Sequence, residues 1–307
     1  MSGLVFRRGL LAGLVAAGGA AGAAAQQAPK LQGFPSADAA AAALTAALRA
    51  DDHKALAAML GEWWRVFVPT RDREFGRDRD TYLAAWDERH KVMPDPAYAN
   101  KAILEVGSTG WTLPLPMVKD GTEWRFDSDA GIDEIVAREI GRDELGAIQT
   151  LLAIVDAQRD YAAMDPMKTG SPVYARRLLS LPGKKDGLYW PVAAGEAESP
   201  LGQQVAKSQP DGAAPGGHYG YNFRLLYAQG PAAPGGAHDY LVNGRMLSFA
   251  AVAWPTYYGE TGIMTFMVGH DGVVYQRDLG PETRLLAPAI TAFNPDKDWV
   301  KADMTPP

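Results

Sequence analysis

The chain has no cysteine. That excludes disulfides, a thiolate nucleophile, a Cys-ligated metal and a lipidated N-terminal cysteine. It has no GxSxG nucleophile elbow and no HExxH pair. Neither glycine-rich phosphate loop, GxGxxG or GxxxxGK[ST], is present. Lys and Arg number 30 against 36 Asp and Glu, a formal net charge of −6. The basic residues do not cluster, which argues against nucleic acid as a partner. Without disulfides a hydrophobic core must carry the stability, and 47% hydrophobic residues make one available.

What is present begins with a leader. Arg7-Arg8 form a positive start, Leu10–Ala20 is apolar and rich in Gly and Ala, and Ala23-Ala24-Ala25 supply the small residues before a cleavage point. The apolar run is too short for a span of about 20 residues. The reading is cleavage near Ala25, a periplasmic or secreted protein, and no membrane span afterwards. A retained anchor is the alternative. The arginine pair suggests twin-arginine export, but Phe6 stands where Ser or Thr is usual, so the general secretory route is expected.

Beyond residues 1–25 the expectation is an α+β protein: a linker over 26–33, an N-terminal α+β domain over 34–127, and a helix with an antiparallel sheet over 128–303. Ser36 caps a first helix with Ala39, Ala43, Leu44, Ala47 and Leu48 on one side. A second follows Asp51-Asp52, and Arg71–Lys91 reads as a charged helix with Tyr82 and Trp86 on one face. Strands are expected at Ala102–Val106, Gly110–Leu115 and Thr122–Phe126. Asp127 or Asp129 caps the next helix, which pauses near Gly141, resumes with Ile148, Leu151, Leu152 and Val155 inward, and ends by Pro166. Ser199-Pro200 predicts a short helix reaching Val205, and Gln209–Gly217 a loop. Tyr219–Gly280 reads as a β-meander, with Asn243-Gly244 and Asp271-Gly272 as hairpin turns.

Chemistry is harder to place. His238-Asp239 and His270-Asp271 look like base-plus-orienter pairs, but neighbours on a strand point to opposite faces. Asp127, Asp129 and Asp133 have a calcium-loop spacing that Gly131 and Arg138 break. No catalytic residue, metal site or cofactor is assigned. A candidate binding surface is Arg142 at the helix pause, then Asp156, Arg159 and Asp160 on one helix, with the aromatic pair Tyr189 and Trp190 in a Gly/Pro-rich loop.

Three resemblances follow from longer phrases. FPSADAAAAALTAALRADDHKALAAMLG resembles the opening of cone-like domains of the nuclear-transport-factor-two-like type, over about 28 residues. GWTLPLPMV, WRFDSDAGIDEIVAREIGRDELGAIQTLLAIVDAQRDYA, LPGKKDGLYWPVAAGEAESPLG and the meander resemble an uncharacterised bacterial family, domain of unknown function 2950, from about Phe34 to Trp299. That resemblance implies an exported envelope protein and no particular activity. The later helix and meander look like the globular half of type IV pilins, a pilin-like helix packed on an antiparallel sheet. Ala253-Trp254-Pro255, Gly262, Phe266, Val268, Gly272 and Val274 carry the pattern. The helix here is internal and polar-faced, unlike the N-terminal helix of filament subunits.

The expected function is a non-enzymatic envelope protein that binds another protein or an envelope component. The alternatives are a hydrolase using Asp and His groups in an interdomain cleft, and a small-ligand binder with a pocket near Trp63, Trp64 and Phe67.

Overall fold

A computed structural model describes residues 31–68, 73–193, 195–206 and 217–303. The leader, most of the linker and nearly all of the Gln209–Gly217 loop lie outside the described residues. The chain divides into two compact units, between Ala137 and Arg138. Among the described residues no helix is long and apolar enough to cross a membrane.

In the first unit, α1 (Ala37–Arg49) starts where Ser36 Oγ accepts from the Ala39 N–H at 3.1 Å, and α2 (His53–Leu60) where Asp52 Oδ1 accepts from Lys54 and Ala55. Each cap satisfies N–H groups that a helix start leaves without a partner. A short α3 (Trp64–Phe67) and the charged α4 (Arg73–Glu88) follow.

The first sheet contains β1 (His90–Pro94), β2 (Lys101–Val106), β3 (Trp111–Thr112), β4 (Met117–Asp120) and β5 (Glu123–Phe126). Its order is β1-β2-β4-β5, all antiparallel, with β3 also on β2 and β1 at the edge. Leu44, Leu56, Leu104, Met117 and Phe126 close the core between helices and sheet. Each such side chain, fully buried, is worth roughly 1.5–3 kcal/mol. Sequence periodicity missed β1 and β4, and the expected Gly110–Leu115 strand shrinks to two residues. Pro114 and Pro116 break the ladder there.

Helix α5 (Ser128–Met164) is continuous, which corrects the expected pause at Gly141. Asp127 is its cap, accepting from the Ala130 N–H at 3.1 Å. A helical glycine costs about 1 kcal/mol against Ala. Here one turn later the Glu144 carboxylate is anchored outside the helix, by the N–H groups of Ile263 and Met264, both at 2.9 Å. Asp165, at φ 41°, ends the helix just before Pro166.

The second unit places Ile148, Leu151, Ile154 and Val155 of α5 in one core with a five-stranded antiparallel sheet. Before that sheet come the short parallel pair β6 (Arg177–Leu179) and β7 (Gly187–Tyr189), and α6 (Gln203–Ala206). Helix α6 begins at Gln203 rather than Ser199, whose hydroxyl donates to the Leu201 carbonyl. The remaining elements are β8 (Tyr221–Leu226), β9 (Ala228–Gln229), β10 (His238–Asp239), β11 (Leu241–Val242), β12 (Arg245–Met246), β13 (Ala250–Pro255), β14 (Met264–Gly269), β15 (Val274–Asp278), α7 (Thr283–Leu286) and β16 (Val300–Lys301). The sheet order is β16-β15-β14-β13-β8. Every residue of β13 is buried, and its small alanines let the sheet be covered closely. Both expected hairpin turns form: Asn243 and Gly244 have φ of 50° and 73°, the left-handed pair that a two-residue hairpin needs, and Gly272 has φ 80° between β14 and β15.

Candidate functional site

The residues singled out in the sequence do not converge. Arg142 is exposed on α5 and donates to the Arg138 carbonyl at 3.2 Å. Asp156 lies 14 residues, about 21 Å, further along the helix. It pairs with Arg159 at 3.1 Å, in solvent, and Arg159 also donates to the His270 carbonyl. Asp160 faces an open groove with Met164, Glu198 and Ser199. Tyr189 is half-buried in β7. Trp190 is buried, edge-on to Tyr161 at 6.4 Å, with the Lys185 ammonium 5.3 Å from its ring, and its indole N–H has no hydrogen-bond partner.

The histidine-aspartate pairs sit at the surface. His238 meets the Gly236 carbonyl, and Asp271 caps the Val273 N–H of its own turn. In the first unit, Phe67 lines an apolar recess with Leu44, Leu48, Val68, Tyr82 and Leu115, while Trp63 and Trp64 lie outside its lining. The recess is about 30 Å³, room for a water molecule or two. Pockets for drug-sized ligands run to roughly 300 Å³ and more. At its wall the Tyr82 hydroxyl and Thr45 Oγ1 share a 2.8 Å hydrogen bond, and burial pushes the Tyr82 pKa up to about 12.

A mixed cleft of about 80 Å³ opens in the second unit, at the end of α5. Its buried base is Tyr161, Val173, Asp186 and Met246, and its exposed side chains include Met167, Arg176 and Arg245. The fold builds it from three pieces. Gln158, fully buried on α5, holds both backbone groups of one residue of the incoming loop: its Nε2 donates to the Ala175 carbonyl at 3.0 Å and its Oε1 accepts from the Ala175 N–H at 2.8 Å. The next residue is Arg176, whose N–H donates to the Asp186 carbonyl at 3.1 Å and whose carbonyl accepts from the Tyr227 hydroxyl at 2.8 Å. The Asn243-Gly244 turn then puts Arg245 across from it, and Arg176 Nη1 reaches the Gly244 carbonyl at 3.5 Å.

The carboxylates around the cleft are committed. Asp186, buried, accepts from the Leu181 N–H at 3.0 Å and lies 3.6 Å from Arg177 Nε. Asp165 accepts from the Thr169 N–H at 2.8 Å, the Thr169 hydroxyl at 2.9 Å and the Gly170 N–H at 2.9 Å, and those backbone bonds hold its carboxyl below the usual range. Among the described residues no carboxylate comes within 4.0 Å of Arg176 or Arg245. Tyr161 donates to the Lys185 carbonyl at 2.6 Å, and burial, helped by the Asp186 charge, pushes its pKa up to about 12. Sequence reasoning missed Arg176 and Arg245. The readable signal was that Arg245 follows directly on a hairpin turn; Arg176 carried none.

Four apolar side chains stand in solvent beside the cleft: Tyr227, Leu241, Val242 and Leu247 are 43%, 40%, 41% and 53% exposed. They belong to one hydrogen-bonded strip, in which the Tyr240 N–H donates to the Tyr227 carbonyl and the Leu247 N–H to the Tyr240 carbonyl.

The family profile described as Protein of unknown function (DUF2950) matches residues 31–302, and the chain belongs to that family. No curated protein and no solved structure matches the chain.

Proposed function

We propose that this is an exported, non-catalytic protein of the cell envelope that binds another protein through its second unit. The observation that supports the reading is four exposed apolar side chains, Tyr227, Leu241, Val242 and Leu247, gathered on one hydrogen-bonded segment about the Asn243-Gly244 turn. Exposed apolar surface gathered in one place marks interaction sites on soluble proteins. Export rests on the Arg7-Arg8 leader and its Ala23-Ala24-Ala25 end. The pilin-like reading of the second unit belongs to this proposal and rests on the sequence pattern.

A photo-crosslinking residue at Val242, expressed in the native envelope, tests it. One discrete adduct is expected from Val242 and none from Glu62 in the first unit, and Leu241→Ser with Leu247→Ser should remove it. Adducts equal at both positions, or absent from Val242, would refute the interaction surface. N-terminal sequencing of the envelope fraction should begin near Gln26, and a chain starting at Met1 would refute cleavage.

A further inference from the structure

We propose that the cleft beside this strip binds a carboxylate carried on an apolar stem, such as the C-terminus of a peptide ending in an apolar residue, with Arg176 and Arg245 holding the anion. The inference rests on the interaction reading above and names the chemistry of its anchor point.

Three observations lead to it. First, two guanidinium groups stand at one recess and, among the described residues, neither has a carboxylate within 4.0 Å, in a chain whose net charge is −6. Two acidic groups are close by: Asp186 lines the recess and Asp165 feels the Arg245 charge, but the hydrogen bonds of both go to other donors. Second, the backbone of Arg176 is held before any ligand arrives. Gln158 grips the preceding residue, Asp186 and Tyr227 take its backbone groups, and the exposed side chain reaches the Gly244 carbonyl. The planar fork of guanidinium N–H donors matches the two oxygens of a carboxylate. Third, the base beneath the arginines presents Tyr161, Val173 and Met246, which suit carbon rather than water, beside an Asp186 carboxylate already engaged by the Leu181 N–H and Arg177.

The same features select against phosphate. Phosphate sites commonly supply several backbone N–H groups from a helix start or a turn. The N–H groups of Thr169 and Gly170 beside this cleft already serve the Asp165 carboxylate. The neighbouring helix presents its C-terminal end, whose dipole opposes any anion and a doubly charged one about twice as much, so the two guanidinium charges must outweigh it. A cavity of about 80 Å³ takes a carboxylate and a few carbons, not a whole ligand, so the rest of the peptide would run out over Met167 or the Leu241–Leu247 strip.

The test uses the purified protein and three probes: N-acetyl-Ala-Leu with a free carboxylate, the same dipeptide amidated, and inorganic phosphate. Binding is followed by NMR of the arginine Nε–H groups. The free acid is expected to bind with a dissociation constant on the order of 1 mM and to shift the Arg176 and Arg245 signals first. The amide should bind at least about tenfold more weakly, as should the free acid to an Arg176→Gln, Arg245→Gln variant. Because the shifts are read in the unaltered protein, a variant that fails to fold leaves the test intact. Equal binding of acid and amide, phosphate binding as tightly as the acid, or shifts elsewhere than at these arginines would overturn the assignment. The Leu241→Ser, Leu247→Ser variant separates the two proposals: it should lose the envelope crosslink and keep the acid. Acid binding without any crosslink sinks the interaction reading alone, and a crosslink without acid binding sinks the carboxylate site alone.

Discussion

The ring of Tyr219 rests directly on the backbone of Gly146, in the middle of α5: a β-carbon on Gly146 would fall 2.6 Å from Tyr219 Cγ. Tyr219 also has φ 49°, a backbone region that side chains other than glycine rarely occupy. Ala would favour the helix by about 1 kcal/mol, but the clash is with the near end of the ring and cannot be relieved by a small rotation. Gly146→Ala is expected to lose about 1–2 kcal/mol net in urea unfolding. Adding Tyr219→Ala should recover part of that loss, because the two effects share one contact. A Gly146→Ala protein more stable than its parent would count against the close approach.

Glu144 is the tie between α5 and the start of β14. One of its oxygens takes both the Ile263 and Met264 N–H groups. Glu144→Ala leaves two donors unpaired and should cost about 2–4 kcal/mol, and Glu144→Gln, which keeps an oxygen but not the charge, about half as much. Urea midpoints of the two variants decide this: equal losses would mean that the neutral amide oxygen contributes nothing there, and no loss for Glu144→Gln that the charge contributes nothing.

Gln158 offers a stability test with a functional side. Gln158→Leu strands the N–H and carbonyl of Ala175 in a buried site and should cost about 2–4 kcal/mol. It should also loosen Arg176, so the affinity for N-acetyl-Ala-Leu falls in the fraction that stays folded. Unchanged affinity would show that the remaining bonds suffice to position Arg176.

The parts readable from the sequence are those with local causes. Ser36, Asp52 and Asp127 cap the helices that follow them, because capping needs only a side chain and the next turn. Asn243-Gly244 makes its hairpin for the same reason. The continuity of α5 was not readable, since the contact that holds it near Gly141 comes from Ile263 and Met264, more than a hundred residues away. Strands β1 and β4 were missed because His90–Pro94 and Met117–Asp120 lack clear alternation. The arginines of the cleft are brought together by Gln158 and a distant hairpin, so neither charge nor spacing announced them. Trp190 shows the reverse: its Gly/Pro-rich loop suggested a binding surface, and only the fold shows its ring buried edge-on to Tyr161.

His218 carries a pH dependence. Partial burial lowers its pKa below the ordinary 6.5, so the folded protein takes up a proton less readily than the unfolded chain. The unfolded state therefore gains protons first as the solution is acidified. Stability contributed by neutral His218 is present above about pH 6.5 and is lost as pH falls from there toward the lower folded-state value. Melting temperatures between about pH 7.5 and about pH 5 should fall less steeply for His218→Gln than for the parent. Parallel curves would show that His218 is not desolvated in solution.

Strand β1 has a consequence for solubility. A strand with a neighbour on one side only is a template on which another copy can add itself, layer upon layer, until the material comes out of solution. The outermost strand here shows solvent an ammonium at Lys91, which a newcomer would have to strip of water, and ends at Pro94, which has no N–H to donate. Crowded copies of this chain are therefore hindered from stacking through this edge by two side chains, Lys91 and Pro94.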